Sequence, residues 1–403
     1  MFKRTMAIVC AANVSASATY AQTGNLQSQP QTQLLAPGVS YQLLHDPRGP
    51  FVMNVVRVDL RRADLEIRHA RARDQLKGRE RTSEMARRAT TDGATVLAAI
   101  NGDFFNVGTG ENENNQVIGG EWWKGVKVTD SPYDTYDNTH AQFALDAARR
   151  PYIDRFMFDG MAWAHGVRTP IVTLNYNPSG SPEGTALYTS RYGPATPRDT
   201  TRQTAEAVLA RAGRRGDTLV FVRRGAPSGA GGGSAIPADG AVLAAYGAGS
   251  RLKEVQAMVE GDTVKVLLAT IPRLPRAGVP ALVIGGWPRI VRDGIVVAGD
   301  APTIEGTISR NAEARHPRSA VGVSRDGATL LLVTVDGRQE KSVGMTLVEL
   351  AGLMRQLGAW QAMNFDGGGS TTMVVGGAVV NVPSDPAGER EVGNALLVVR
   401  KKP

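Results

Sequence analysis

The sequence predicts an α+β (mixed α/β) fold: mixed sheets with flanking helices, built as a single main domain with glycine-rich loops at its strand ends. Three observations carry that reading. Short apolar runs at 95–100, 219–222, 241–246 and 330–335 recur between turn-forming Gly, Pro and Asn residues, the pattern of buried strands. Glycine fills 46 of 403 positions and aromatic residues make up only 6%, a composition of loops and strands rather than of a helical bundle. The longest helical stripe, Leu347, Leu350, Met354 and Leu357, spans only about three turns. With 42% hydrophobic residues, the chain has material for one large core or two moderate ones.

Met1-Phe2-Lys3-Arg4 opens a stretch of small and apolar residues that ends in Ala16-Ser17-Ala18 and Thr19-Tyr20-Ala21. A basic start, an apolar middle and small residues at the end read as a cleavable signal peptide over 1–21, so a periplasmic or secreted protein is expected. Cys10, the only cysteine, falls inside that segment. The exported chain would then have no thiol, which excludes thiol catalysis and cysteine-ligated metal and suits an oxidising compartment. Residues 22–38 are polar and Gln-rich and read as a disordered lead-in. No stretch approaches the roughly 18–20 apolar residues of a membrane span. The net charge of +8 is spread along the chain. It favours an anionic substrate, and no basic block interleaved with aromatics points to nucleic acid.

Taken in order, 51–60 and 65–70 alternate as strands and 83–89 is a short helix. The strand 95–100 delivers Asn101-Gly102-Asp103 to a turn. Residues 107–116 are polar and aperiodic, hence a surface loop over the site. Their acids and amides are compatible with a divalent cation but lack regular calcium-loop spacing. Residues 155–160 and 170–175 are strands, and 204–211 fits helix or strand. A flexible link is expected at 229–233, followed by the strand 241–246. A short helix carries Leu252, Val255 and Val259 on one face. The strands 264–268 and 281–286 follow, then 330–335, which delivers Asp336-Gly337-Arg338. Ser342 is placed to cap the Leu347 helix, with Gly358 to stop it.

The centre of the chain is Met363-Asn364-Phe365-Asp366-Gly367-Gly368-Gly369-Ser370-Thr371-Thr372-Met373. Glycines cost about 0.5–1 kcal/mol each inside a regular element, so three in a row belong where the backbone turns tightly or meets a ligand. Asp366 shares with Asn101, Asp103, Asp336 and Arg338 a place at the end of an apolar strand, and Arg318 stands at the start of one. Carboxylates, amides and arginines converging there form a cleft for an oxygen-rich, partly anionic ligand, and arginine's fork suits phosphate or carboxylate. An Asp in such a cleft can be nucleophile, base or acid. Each residue also has a structural reading; Asp336 and Arg338 alone would satisfy each other. The glycine run lacks a P-loop lysine, and the five His show no ligand spacing. Ser370 lacks a Gly-x-Ser-x-Gly elbow, so acyl transfer would need a base beside it.

These motifs together resemble the phosphodiester glycosidase family. The matching pieces are Asn101-Gly102-Asp103-Phe104-Phe105, Leu187-Tyr188-Thr189, Ile284-Gly285-Gly286, Arg318-Ser319-Ala320-Val321-Gly322 and Asp336-Gly337-Arg338. Gly344-Met345-Thr346, Glu349-Leu350-Ala351, the run from Asn364 to Thr372, Val380-Asn381 and Glu389-Arg390 continue the match in the family's order. Ser319 stands where the family usually has Thr, and Phe365 where Leu is commoner.

The resemblance implies a catalytic domain over 93–403, with the strands and helix of 39–92 packing on it. It implies a hydrolase that cuts the glycosidic C–O bond of a sugar-1-phosphodiester, the sugar being N-acetylglucosamine-like, in an envelope or extracellular glycan. Arg318 and Arg338 would hold the phosphate. Asp366 or Asp336 would stabilise the oxocarbenium-like sugar, as nucleophile or as base for water. Asn101 and Asn364 would bind sugar hydroxyls or the acetamido group. Asp103, Gly368, Gly369, Ser370, Thr371, Asn381 and Arg390 complete the expected substrate site, and Glu349 would contact substrate or anchor Arg338 from behind. A phosphodiester leaves as a stabilised anion, so neither a strong acid nor a cofactor is required. Two rivals remain: a glycoside hydrolase acting on a non-phosphorylated polysaccharide, and a non-catalytic glycan-binding envelope protein.

Overall fold

The computed structural model describes residues 32–402, apart from 130, 133, 179–182, 229–230 and 276–277. The signal segment, most of the lead-in and the first two residues of the expected link lie outside the described residues. The architecture is the mixed α/β fold the sequence predicts: two eight-stranded sheets, two five-stranded sheets and a two-stranded ribbon, with short helices against them. Among the described residues, no helix is long and apolar enough to cross a membrane.

The sheet that carries the site runs through Thr32–Ala36, Val39–Asp46, Phe51–Asp59, Thr329–Val335, Arg318–Val323, Gln361–Asn364, Arg289–Arg292 and Ile295–Val296. Every pairing in it is antiparallel. Its central strands are largely apolar because both faces are covered, and alternate side chains point to opposite faces. Val321, Val323, Leu330 and Leu332 face a core shared with Ile67, Ala98, Ile100 and Leu396 of the adjacent five-stranded sheet. Ala320, Leu331 and Val333 face the other way, onto the helix Leu347–Gln356.

That helix stops at Gly358, whose φ of +97° is left-handed and favours glycine. Its N-cap is Thr346 and not Ser342. The Thr346 hydroxyl accepts from the Glu349 N–H at 3.1 Å while the Glu349 carboxylate accepts the Thr346 N–H at 2.9 Å, a reciprocal capping box. Ser342 donates instead to the Asp336 carbonyl at 2.6 Å and accepts the Val52 N–H at 3.0 Å.

The five-stranded sheet runs Ala378–Val379, Met373–Val375, Ala94–Asn101, Asn394–Lys401 and Leu65–Arg71. The strands between 39 and 92 are woven into these sheets: Phe51–Asp59 pairs with Thr329–Val335, and Leu65–Arg71 with Asn394–Lys401. Order also begins earlier than the lead-in reading allowed, since Thr32–Ala36 pairs with Val39–Asp46. Strand pairing there overrides a polar composition.

The second eight-stranded sheet includes Thr204–Arg215, which resolves as strand, with the helix Ser250–Gln256 against it. Leu252 and Val255 of that helix are buried, but Val259 lies beyond its end and is exposed, and Met258 is buried in its place. The 107–116 segment also departs from expectation. Residues 107–109 are exposed, whereas Asn112, Asn114, Asn115 and Gln116 are fully buried. Their amides serve the backbone of neighbouring segments: Asn115 accepts from the Val126 N–H and donates to the Phe156 carbonyl, both at 2.7 Å. Polar composition there marks buried hydrogen-bond partners instead of solvent exposure.

Candidate active site

Strand Gln361–Asn364 leads into the glycine-rich turn. Phe365 is buried in the core, which is worth about 2–3 kcal/mol and fixes where the next residue emerges. That residue, Asp366, lines a cleft of about 200 Å³. Its N–H donates to the Gly102 carbonyl at 2.9 Å, and its own carbonyl accepts from Asn101 Nδ2 at 2.7 Å. The end of the five-stranded sheet therefore holds the backbone of the acidic residue. A side chain at Gly367 would bring its Cβ within 2.7 Å of the Pro317 carbonyl, and one at Gly369 would collide with the Arg390–Asp385 pair. Backbone presses on Gly367, whereas at Gly369 the neighbours are side-chain ends.

Three arginines and a histidine share the cleft. Arg318 is almost fully buried; its Nε donates to the Met345 carbonyl at 2.8 Å and its Nη2 to the Asn311 and Ala314 carbonyls at 2.6 and 3.0 Å. Nη1 is left for the cleft. Burial, with the Arg338 charge beside it, pushes this guanidinium down to about 10, so it stays cationic. Arg338 is exposed, has no carboxylate partner among the described residues, and holds a φ of +60°. Its Nη2 lies 3.4 Å from His316 Nδ1, while His316 Nε2 lies 3.0 Å from the Arg310 carbonyl. That network assigns the proton to Nε2. Burial, together with the Arg318 and Arg338 charges, lowers the imidazole's pKa. Arg390 is gripped by both Asp385 oxygens at 2.7 and 3.0 Å, and its Nη1 points to Ser370 Oγ at 3.4 Å.

Asp366 is the one carboxyl among the described residues that line this cleft. Burial raises it to about 6, and the Ser370 hydroxyl and the Arg390 charge act against a further rise. Asp336 lies elsewhere. It is buried just past the end of the central strand Thr329–Val335, where both its oxygens accept the Val382 N–H at 3.2 Å. Burial lifts it to about 6 as well, but it is not part of the cleft lining, and it does not pair with Arg338.

The other expected residues divide into two groups. Asn364, Gly368, Gly369, Arg318, Arg338 and Arg390 line the cleft with Asp366. Asn364 donates to the Trp287 carbonyl at 2.7 Å, and its Oδ1 has no partner. Asn101, Asp103, Asn381 and Glu349 build the frame. Asn101 Oδ1 accepts Ser319 Oγ at 2.6 Å and the Thr372 N–H at 3.1 Å, so this amide is used up. Asn381 accepts the Met373 N–H at 2.7 Å and donates to the Thr371 carbonyl at 3.0 Å. Asp103 accepts Asn114 Nδ2 at 2.7 Å and the Asn114 N–H at 3.1 Å. Glu349 pairs with Arg315, at 3.1 Å from its Nε, and so does not anchor Arg338. Ser370 and Thr371 are buried beneath the turn, with Thr371 Oγ1 unpartnered.

Sequence reasoning missed His316, Trp287, Phe104 and Thr307, all of which line the cleft. Trp287 is buried, stacks on His140 at 5.0 Å between centroids and meets Phe104 edge-on at 5.6 Å, which fixes its ring in the cleft wall. The signals were present: Trp287 follows the strand-end pair Gly285-Gly286, and His316 stands two residues before Arg318. Among the described residues, no group of three or more His, Cys, Asp or Glu side chains is arranged to hold a metal ion.

Comparison with known proteins adds an independent line. Residues 215–399 match the family model for phosphodiester glycosidase. The chain is similar to the N-acetylglucosamine-1-phosphodiester alpha-N-acetylglucosaminidase of Mus musculus, 35% identical over 103 residues, which is 24% of this chain and 20% of the mouse protein. It is similar to the SPbeta prophage-derived uncharacterized protein YomE of Bacillus subtilis (strain 168), 38% identical over 96 residues, 24% of this chain and 15% of that one. The chain thus spans a fifth or less of the length of these curated relatives. In structure it is similar to a hypothetical protein from Synechocystis, with a TM-score of 0.70 and 22% identity, over 93% of this chain and 64% of that one. A putative exported protein from Burkholderia pseudomallei K96243 gives 0.63 and 25%, over 87% and 74%.

Proposed function

From a chain whose residues 215–399 belong to the phosphodiester glycosidase family, we propose a hydrolase that cuts the C1–O bond of a sugar-1-phosphodiester, the sugar being N-acetylglucosamine-like. The observation that carries this reading is the pairing of one cleft carboxyl, Asp366, with three arginines in the same cleft. A glycosidase that expels an ordinary sugar needs two carboxyl groups flanking the bond, one of them as acid. A phosphodiester leaves as a stabilised monoester anion and needs cations in place of that acid.

In this reading the phosphate oxygens accept hydrogen bonds from Arg338, Arg318 Nη1 and Arg390 Nη1, which meet the charge as the bond breaks. The sugar lies against Trp287 and Phe104, with Asn364 Oδ1 and Thr307 Oγ1 accepting its hydroxyls. The C1–O electron pair leaves with the phosphate. The Asp366 carboxylate acts at C1 as nucleophile, or takes a proton from the water that attacks there. Asp336, away from the cleft, is given no chemical step. Guanidinium groups supply the positive charge, so the proposed chemistry calls for no cofactor. The basic and apolar segment at 1–21 leads us to propose export as well, with mature protein starting at Thr19 or Gln22 by N-terminal sequencing.

The test uses purified protein on an α-N-acetylglucosaminyl phosphodiester in ¹⁸O water. Label at C1 of the released sugar, lost in Asp366→Ala, is the expected result. Label on the phosphate overturns the reading in favour of P–O cleavage. Release of sugar only from non-phosphorylated glycans, or glycan binding without turnover, favours the rivals.

A further inference from the structure

The catalytic cleft has a neighbour. A second cavity of about 500 Å³ shares Phe105 and Val107 with it, so these two side chains form the partition between the pair. Val107 is largely exposed and leaves the partition open at its solvent side. None of the cleft's His316, Arg318, Arg338 and Arg390 is among the second cavity's described lining residues.

Its lining differs in chemistry from the cleft. Lys124 is its buried cation, and Glu111 already neutralises it at 2.9 Å, with the Asn112 carbonyl at 2.5 Å. Among the described residues of this lining, no cation is left over for a second phosphate. Glu113 also lines the cavity, and its Oε2 is buried without a hydrogen-bond partner. Its other interactions are with the Ser131 hydroxyl and, through charge, with Asp103, Asp366 and Asp134; burial raises it to about 8. A mostly protonated carboxyl at neutral pH both donates to and accepts from hydroxyls. A buried polar atom without a partner is unfavourable until a ligand supplies one. The exposed apolar Val128 lines the same cavity and not the catalytic cleft.

We propose that this second cavity is a subsite for an uncharged sugar residue, joined on the non-phosphate side of the sugar whose C1–O bond is cut. The inference rests on the proposed chemistry for its orientation, and on the lining alone for its ligand class. The protein would then act within or near the end of a longer glycan and prefer it to a lone sugar phosphodiester. The side chain at 128 sits over the added sugar, and Glu113 accepts one of its hydroxyls.

The experiment compares an α-N-acetylglucosaminyl methyl phosphodiester with the same compound carrying one further neutral sugar on the glucosaminyl ring. Wild type is expected to show a kcat/KM at least tenfold higher on the longer compound. Val128→Trp, which fills the cavity, should bring that ratio to about one, and a distant surface change, Val167→Trp, should leave it as in wild type. Equal rates on both compounds in wild type, or an unchanged ratio in Val128→Trp, overturn the proposal. If neither compound turns over, the proposed reaction fails, and calorimetric titration with the unphosphorylated disaccharide decides the subsite separately. Binding to wild type that Val128→Trp weakens at least tenfold supports it, and absence of binding overturns it.

Discussion

Asn101 Nδ2 reaches the main-chain carbonyl of Asp366 at 2.7 Å across 265 positions of sequence. One side chain thus ties the end of the five-stranded sheet to the turn that presents the acid. The same amide oxygen receives Ser319 Oγ and the Thr372 N–H. Asn101→Ala would leave three buried groups unpaired, at about 1–3 kcal/mol each before relaxation. We expect a loss of ~3 kcal/mol in urea unfolding, with turnover falling because Asp366 loses its support. A variant as stable as wild type would disprove the tie.

Asp366→Asn should reduce turnover by about a thousandfold or more while the protein stays folded, because the role depends on the carboxylate. In wild type the rate should rise with pH through about 6 and level off above it, following ionisation of Asp366. Stability runs the other way. The folded protein binds this proton more tightly than the unfolded chain, whose Asp has the ordinary value of 3.8. Stability from this group is therefore complete below that value and is lost as pH rises through about 6. Asp366→Asn should lose less stability between pH 4 and pH 8 than wild type does, as read by chemical denaturation at each pH.

The arginines should separate. Arg338 is exposed and unpaired with any described carboxylate, so Arg338→Ala is expected to raise KM about tenfold or more with a melting temperature within about 2 °C of wild type. Arg318 is bound to three main-chain carbonyls. Its replacement by Ala leaves those acceptors buried and should lower both stability and activity. Thermal melts beside steady-state kinetics on both variants check the contrast.

Gly369→Ala should act on substrate binding more than on folding. The new methyl collides with Arg390 and Asp385, both flexible ends that can move aside. Arg390 then leaves the cleft, and KM should rise about tenfold at nearly unchanged melting temperature. An unaltered KM would show that Arg390 is not in contact with substrate.

Glu349 caps a helix and pairs with Arg315. Glu349→Ala should cost about 1 kcal/mol and leave kcat close to wild type. A collapse in kcat would restore the idea that Glu349 works behind Arg338.

Much of this was legible in the sequence for identifiable reasons. Strands such as 330–335 declared themselves because both sheet faces are buried, and the glycine run marked the turn because Gly367 faces the Pro317 carbonyl and Gly368 holds a left-handed φ of +60°. Arg318, Arg338 and Asp366, singled out by their place at the starts and ends of apolar strands, all line the cleft. What failed was direction. Asp336 also ends a strand, but its carboxylate accepts the Val382 N–H, a partner distant in sequence that the local pattern does not announce. Asn101 looked like a ligand contact, because an amide at a strand end reads alike whether it faces a sugar or a backbone carbonyl. The 107–116 segment was read as a solvent loop, since buried amides that serve distant main-chain groups leave no periodic trace.

The strand Asn394–Lys401 lies between Leu65–Arg71 and Ala94–Asn101. The strand bearing Asn101 therefore takes one of its two neighbours from residues that leave the ribosome long after it does. Pairings of such separation form slowly and only once both partners exist. The cleft waits for that strand, and a chain released before residue 394 carries Asp366, the arginines and the glycine turn yet lacks the strand that holds Asn101 against them. Such fragments should be inert rather than weakly active.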